Sequence, residues 1–243
     1  GKDADAETLE WLCKKQGISC MLLRDSERAT TVKQRFIAQP YNHQLLRADY
    51  ESAKPLQKEL VRKVLDAVKK HNPSMIVISD YAKGMLTKEF VEGLKGEFKG
   101  RILVDSKPAH YGFYKGVFLL KPNLAEASQI LGVKIENNDS AVGEAARRLS
   151  AMSESGVVIT RGAQGATILE KGADKSEHIP AEQRPVFDLS GAGDTFLAAL
   201  SYGLHEGLGL KGAASLGVRA ASIVVGKIGT ATVSRGELYG ESK

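Results

Sequence analysis

Gly191, Gly193 and Asp194 stand in the string Asp188-Leu189-Ser190-Gly191-Ala192-Gly193-Asp194-Thr195, which runs straight into Phe196, Leu197, Ala198, Ala199 and Leu200. The pattern predicts a polar turn opening onto a helix over 191–206. The first N–H groups of a helix lack intrahelical partners and lie at the positive end of its dipole, so such a junction attracts anions, phosphate above all. Glycines at 191 and 193 let the backbone approach a ligand with no Cβ in the way. Asp194, aimed out of the same turn, is placed to accept a proton from a substrate hydroxyl while neighbouring amides hold a transferring phosphoryl group. The plainer alternative is a turn whose aspartate merely complements the helix dipole.

Three further groups have the types for phosphate chemistry. Asn123 and Glu126 are spaced as a capping box, which stabilises any helix. The competing reading puts Glu126 near a hydrated Mg²⁺, which needs only one or two carboxylates because phosphates and water complete its shell, with Asn123 near the phosphates. Thr160-Arg161-Gly162-Ala163-Gln164-Gly165 is either a tight hairpin needing positive φ or a hydroxyl with backbone amides near nucleotide phosphates. Lys83 and Lys107 each follow a strand by a few residues; they are surface charges or, at neighbouring strand ends, phosphate partners. Asp80 shares the strand end that leads to Lys83.

These groups need a scaffold that delivers strand ends to one edge. Met75–Ser79, Ile102–Asp105, Val117–Leu120 and Gly156–Thr160 read as near-continuous apolar strands, the mark of a parallel sheet covered on both faces. Helices are expected over 55–70, 87–97, 140–151, 191–206 and about 211–225, with a hairpin from Gly165 to Ile179. The alternation implies an α/β fold with a doubly wound, mostly parallel sheet in one domain over 1–243. Before it, 5–17 reads as an amphipathic helix and Ile18 to Leu23 as a short strand, an opening that implies earlier strands. Residues 30–49 read as a hairpin with a turn over 40–43, a small sheet that is either plain surface or a lid over a substrate.

The 243 residues are 42% hydrophobic and 26% charged, ordinary for a soluble globular chain. The net charge of +5 is spread without a polybasic run and suits small phosphorylated substrates at least as well as nucleic acid. No 18-residue apolar stretch spans a membrane, and Cys13 and Cys20 read as reduced thiols of a cytoplasmic protein. Scattered histidines argue against a histidine-held metal. Gly207-Leu208-Gly209-Leu210-Lys211-Gly212 matches a dinucleotide fingerprint only formally, since it follows a helix. Walker A and protein-kinase elements are absent.

The string through Gly191–Asp194 resembles the C-terminal signature of the ribokinase-like (PfkB) carbohydrate kinases. Ile78-Ser79-Asp80-Tyr81-Ala82-Lys83-Gly84, Leu119 to Glu126 and Val224 to Ser234 are most similar to the kinase domain of the heptose-phosphate kinase/ADP-heptose synthase family. The resemblance implies an ATP-dependent kinase acting on the anomeric hydroxyl of D-glycero-D-manno-heptose 7-phosphate, giving the 1,7-bisphosphate in the precursor pathway of ADP-heptose and lipopolysaccharide. It makes Asp194 the base and Gly191, Ala192 and Gly193 an anion hole. Asn123, Leu124, Ala125 and Glu126 fall in the ATP and Mg²⁺ region, and Thr160, Gly162 and Gly165 near the nucleotide. Lys227 and Gly229 belong to the adenine pocket, with a monovalent-cation site beside Asp188. Asp80, Lys83 and Lys107 are the expected substrate and phosphate residues, and a homodimer is the expected assembly. Departures are Asp105-Ser106-Lys107 in place of Asp-Pro-Lys, and Val218 in place of an asparagine near adenine. An N-terminal sugar-binding block and a nucleotidyltransferase domain also lie outside this sequence. Another sugar or nucleoside, or a non-catalytic nucleotide-binding role, are the alternatives.

Overall fold

Apolar residues at helical spacing and near-continuous apolar strands build the elements of the computed structural model, which describes residues 1–38, 40 and 43–240. They group into two compact units, Gly1–His71 with Ala82–Leu94, and Asn72–Tyr81 with the chain from Lys95 onward.

In the first unit, α1 (Ala4–Lys15) starts at Asp3, whose carboxylate accepts from the Ala6 N–H at 2.9 Å. The Thr30 amide, donating to the same side chain, leads the bonds that hold the Asp3 carboxyl down at about 2. Strands β1 (Val32–Ala38) and β2 (His43–Tyr50) pair antiparallel as a separate two-stranded sheet, the hairpin expected over 30–49. Of its expected turn, Tyr41 and Asn42 lie outside the described residues. The strand expected over Ile18 to Leu23 does not form. A β-strand is stabilised through its ladder, and this run, with Ile18 and Met21 more than half exposed, pairs with none of the described strands. Helix α2 (Lys58–His71) buries Leu60, and α3 (Lys88–Glu97) begins in this unit, where Gly93 comes so near Leu65 that a Cβ would stand 3.1 Å from its Cδ1.

The second unit holds a six-stranded sheet in the order β3 (Met75–Ser79), β4 (Arg101–Asp105), β5 (Leu119–Leu120), β6 (Gly156–Thr160), β7 (Ala166–Leu169), β8 (Glu177–Ile179). Neighbours from β3 to β6 run parallel, and β7 and β8 are antiparallel additions. Ser79 is level with Asp105, Val104 with Leu120, Leu120 with Val157, and Asn123 bridges Thr160. The register therefore brings the chain leaving all of these strands to one edge, the place where open α/β sheets bind ligands. Helices α4 (Leu124–Leu131), α5 (Asp139–Ser153), α6 (Ala192–His205), α7 (Leu210–Val224) and α8 (Arg235–Tyr239) complete the unit. The core joins Leu103, Leu119, Val158 and Ile168 of the sheet to Phe196, Leu200, Ala213 and Ala214 of α6 and α7.

The helix that carries Asp194 is fixed by close packing on α7. A Cβ at Gly217 would stand 3.0 Å from the Phe196 carbonyl oxygen and 3.1 Å from its ring, and one at Gly203 would stand 3.0 Å from the Ala213 backbone. Extra volume there has to push the helices apart. Gly217→Val is expected to lower stability by about 1–3 kcal/mol in urea denaturation; wild-type stability would mean that the contact yields.

Candidate active site

Helix α6 begins at Gly191, whose φ of +79° is the left-handed region that favours glycine. Asp188 sets the approach by accepting the Ser190 N–H at 2.8 Å. The turn places Asp194 in the first turn of α6, where its carboxylate accepts from the Tyr81 hydroxyl at 3.0 Å to each oxygen and from Ser79 at 3.2 Å.

A polar cavity of about 370 Å³ opens around this carboxylate. Asp80, Lys107, Asn123, Glu126, Thr160, Gly162, Gly193 and Asp194, all expected from the sequence, line it. Asp105 and Lys121 line it as well, and sequence reasoning did not single them out. Lys121, almost fully buried, pairs with Asp105 at 2.8 Å, and a Cβ on Gly193 would stand 3.7 Å from the Lys121 amine. Burial raises the Asp105 carboxyl above its ordinary range, against the pull of Lys121. The signal for Lys121 is its place between the last strand residue, Leu120, and the cap at Asn123. A charged residue one step beyond a buried parallel strand stands at the ligand edge.

Glu126 combines the two roles weighed for it. Its Oε2 accepts the Asn123 N–H, Asn123 Oδ1 accepts the Glu126 N–H, both at 2.9 Å, and its Oε1 accepts from Lys107 at 2.9 Å. Burial works against the Lys107 charge, but the Glu126 bond and nearby carboxylates outweigh it, so its pKa is raised. Asp80 is turned away from solvent, its carboxylate taking the Tyr114 hydroxyl at 2.7 Å and lying 2.8 Å from His110 Nδ1.

The polar cavity shares Thr160, Gly162 and Gly193 with an apolar one of about 300 Å³. Gly165, Ala192, Leu189, Val218, Ala221 and Val225 are among its walls. The 160–165 loop between them is held from below: the buried Arg161 guanidinium donates to Asn137 at 2.9 Å, Asp139 at 2.6 Å and Thr167 at 3.3 Å. At Gly165, φ is +82° and a Cβ would collide with the Ile179 carbonyl oxygen.

The remaining expected residues lie elsewhere. Lys83 belongs to the first unit, where its ammonium pairs with Glu51 and its carbonyl accepts from Arg28. Lys227 donates to the Thr232 carbonyl at 2.8 Å and pairs with Glu237 at 2.6 Å, and neither it nor Gly229 lines these two cavities. Leu124 and Ala125 begin α4 without lining either. A larger cavity, about 860 Å³, opens at the opposite ends of the strands beside Met75, Arg101 and Gly156 and holds none of the expected groups.

Carboxylates and ammonium groups in one cleft beside the first turn of α6 can hold a polyanion and take a proton beside it. Among the described residues no group of three or more His, Cys, Asp or Glu side chains suits a metal. Asp105 and Glu126 fit a cation that brings phosphate and water ligands of its own. No helix among the described residues is long and apolar enough to cross a membrane.

Comparison with known proteins places this geometry. Residues 1–235 match the family described as pfkB family carbohydrate kinase. The bifunctional protein HldE of Desulfatibacillum aliphaticivorans is 39% identical over 222 residues, 89% of this chain, which spans 45% of that relative's length. Phosphofructokinase-2 from Escherichia coli, solved in complex with potassium, superposes with a TM-score of 0.83 at 18% identity, covering 98% of this chain and 78% of the other. Ribokinase from Thermotoga maritima gives a TM-score of 0.76 at 19% identity, covering 99% and 78%. The fold is ribokinase-like, with a mostly parallel sheet and a small antiparallel hairpin.

Proposed function

The chain belongs to the pfkB family of ATP-dependent carbohydrate kinases, and from that premise we propose that it phosphorylates the anomeric hydroxyl of D-glycero-D-manno-heptose 7-phosphate. The observation that carries the reading is the shared wall of Thr160, Gly162 and Gly193. It joins an apolar cavity suited to a base to a polar cavity that holds Asp194 with Lys107 and Lys121. The choice of heptose phosphate rests on the likeness to the HldE proteins.

In this reading Asp194 accepts the proton of the sugar hydroxyl as the sugar oxygen bonds to the γ-phosphorus. The bond from that phosphorus to the β–γ bridging oxygen breaks, and its electron pair stays with ADP. Lys107, Lys121 and the amides of Gly191, Ala192 and Gly193 offset the charge on the transferred group, since positioning and electrostatics do most of the work in phosphoryl transfer. Asp105 and Glu126 are the residues that would hold Mg²⁺ through its water shell. When bound, the ion supplies charge neutralisation across the phosphates. Asn123, Thr160, Gly162 and Gly165 serve the nucleotide, and Lys83, resting on Glu51, serves the sugar phosphate. We extend the reading to a monovalent cation near Asp188 and to a cytoplasmic homodimer. The hairpin leaves Phe36, Leu45, Leu46 and Tyr50 exposed, apolar surface that a second copy would cover.

Asp194→Asn is expected to lower kcat by about 10²–10⁴-fold with ATP affinity close to wild type, read by coupled ADP release and calorimetry. Near-normal turnover would leave Asp194 as a dipole-capping residue only. Glu126→Gln separates the two roles of that side chain, because glutamine also completes a capping box. It should melt within a few degrees of wild type yet need more Mg²⁺ for half-maximal rate. A lower melting temperature with unchanged Mg²⁺ dependence would reduce Glu126 to a cap.

A further inference from the structure

We propose that Tyr81 is a positioning residue for the Asp194 carboxylate: its hydroxyl, 3.0 Å from both carboxylate oxygens, aims the base. The inference rests on the reading of Asp194 as the base and adds a residue that no motif argument singled out.

Tyr81 has one proton to share between the two carboxylate oxygens, so it sets the direction of the group, and a second donor is needed to set its rotation about Cβ–Cγ. Ser79 adds a second donor to Oδ1 at 3.2 Å, so the carboxylate is gripped from the end of β3 while its backbone belongs to α6. The Tyr81 segment is itself held in place. The preceding residue, Asp80, is buried and takes the Tyr114 hydroxyl and His110, and its N–H donates to the Asp105 carbonyl at 2.9 Å. The following residue, Ala82, has φ +55°, a left-handed conformation that non-glycine residues seldom hold and that gathers at functional sites. Tyr81 is half exposed and could have pointed to water, so its engagement is not forced by burial of the ring. Burial first, and then the negative charge of Asp194, raise the phenol above its ordinary pKa, so the proton stays on Tyr81 and the hydroxyl remains a donor.

The charged groups around Asp194 leave this hydroxyl a distinct task. From β4 and β5, Asp105 is paired with Lys121; Lys107 is paired with Glu126 of α4, its amine 5.9 Å from the centre of the Tyr81 ring. Asp80, on β3's own exit, faces His110 and Tyr114. The two ammonium groups already hold carboxylate partners, and Tyr81 and Ser79 donate to the base directly. Removing either donor frees the carboxylate to turn about its Cβ–Cγ bond. A base that turns away from the acceptor hydroxyl lowers kcat and leaves nucleotide binding untouched.

Tyr81→Phe deletes only the hydroxyl from a half-exposed ring, and Ser79→Ala deletes the second donor. Both variants are expected to melt within a few degrees of the wild type. In the coupled assay with Mg·ATP and D-glycero-D-manno-heptose 7-phosphate, Tyr81→Phe should lose about tenfold to a hundredfold in kcat. Ser79→Ala should lose less, and in both variants KM for ATP should stay unchanged. Wild-type kcat in Tyr81→Phe overturns the inference, and so does a loss of kcat that comes only with a raised KM for ATP or a collapse of thermal stability. If Asp194→Asn is inactive while Tyr81→Phe matches wild type, this inference alone fails. If Asp194→Asn stays active, the base assignment fails and takes this inference with it.

Discussion

The Lys121 ammonium has almost no contact with solvent, and its bond to Asp105 at 2.8 Å is the constraint on which the site depends. A buried charge is strongly destabilising unless paired, and a buried pair contributes little net stability over apolar residues of the same volume. The pair is better understood by where it stands than by what it adds to stability. Asp105 closes β4 and Lys121 follows β5, so pairing ties two adjacent strand ends together just below the first turn of α6. Lys107 and Glu126 repeat the arrangement nearer to solvent. Each ammonium is thus held in place by a carboxylate and remains at the cavity wall, ready to face a polyanion without first being ordered.

Much of this was legible before any coordinates. The four parallel strands are apolar on both faces, so their sequence has one reading, and the turn at Gly191 needs the left-handed conformation that its glycine supplies. The capping box at Asn123 and Glu126 forms as its spacing requires. A second box, Ser234 with Glu237, opens α8, an element whose signal was present in the same form and went unused. What failed or was missed depends on distant partners. Ile18 to Leu23 has strand-like composition but no described ladder to join. Lys121, Asp105 and Tyr81 gain their roles only when register sets β3, β4 and β5 side by side and α6 is packed by Gly203 and Gly217 against α7. Lys83 and Lys107 look alike in sequence, each shortly after a strand, yet one is engaged by Glu51 and the other by Glu126.

The two cavities that share Thr160, Gly162 and Gly193 have chemically different walls. Val218, Ala221 and Val225 offer apolar surface; Lys107, Lys121 and Asp194 offer charge; the loop held by Arg161 stands where the two meet. Volume alone would choose the cavity at the other end of the sheet, which is more than twice as large as the polar one. That cavity is lined by Lys99, Arg101, Glu170 and Lys171 but holds none of Lys107, Lys121, Glu126 and Asp194, which gather at the opposite ends of the strands.

A crystal structure with Mg²⁺ and a non-hydrolysable ATP analogue tests the central claim most directly. The expected complex has the purine against Val218, Ala221 and Val225, the phosphates running past Thr160 and Gly162, and the terminal phosphate at Lys107 or Lys121 within the cavity of Asp194. A nucleotide bound beside Met75 and Arg101, or one whose terminal phosphate reaches neither lysine, would contradict it.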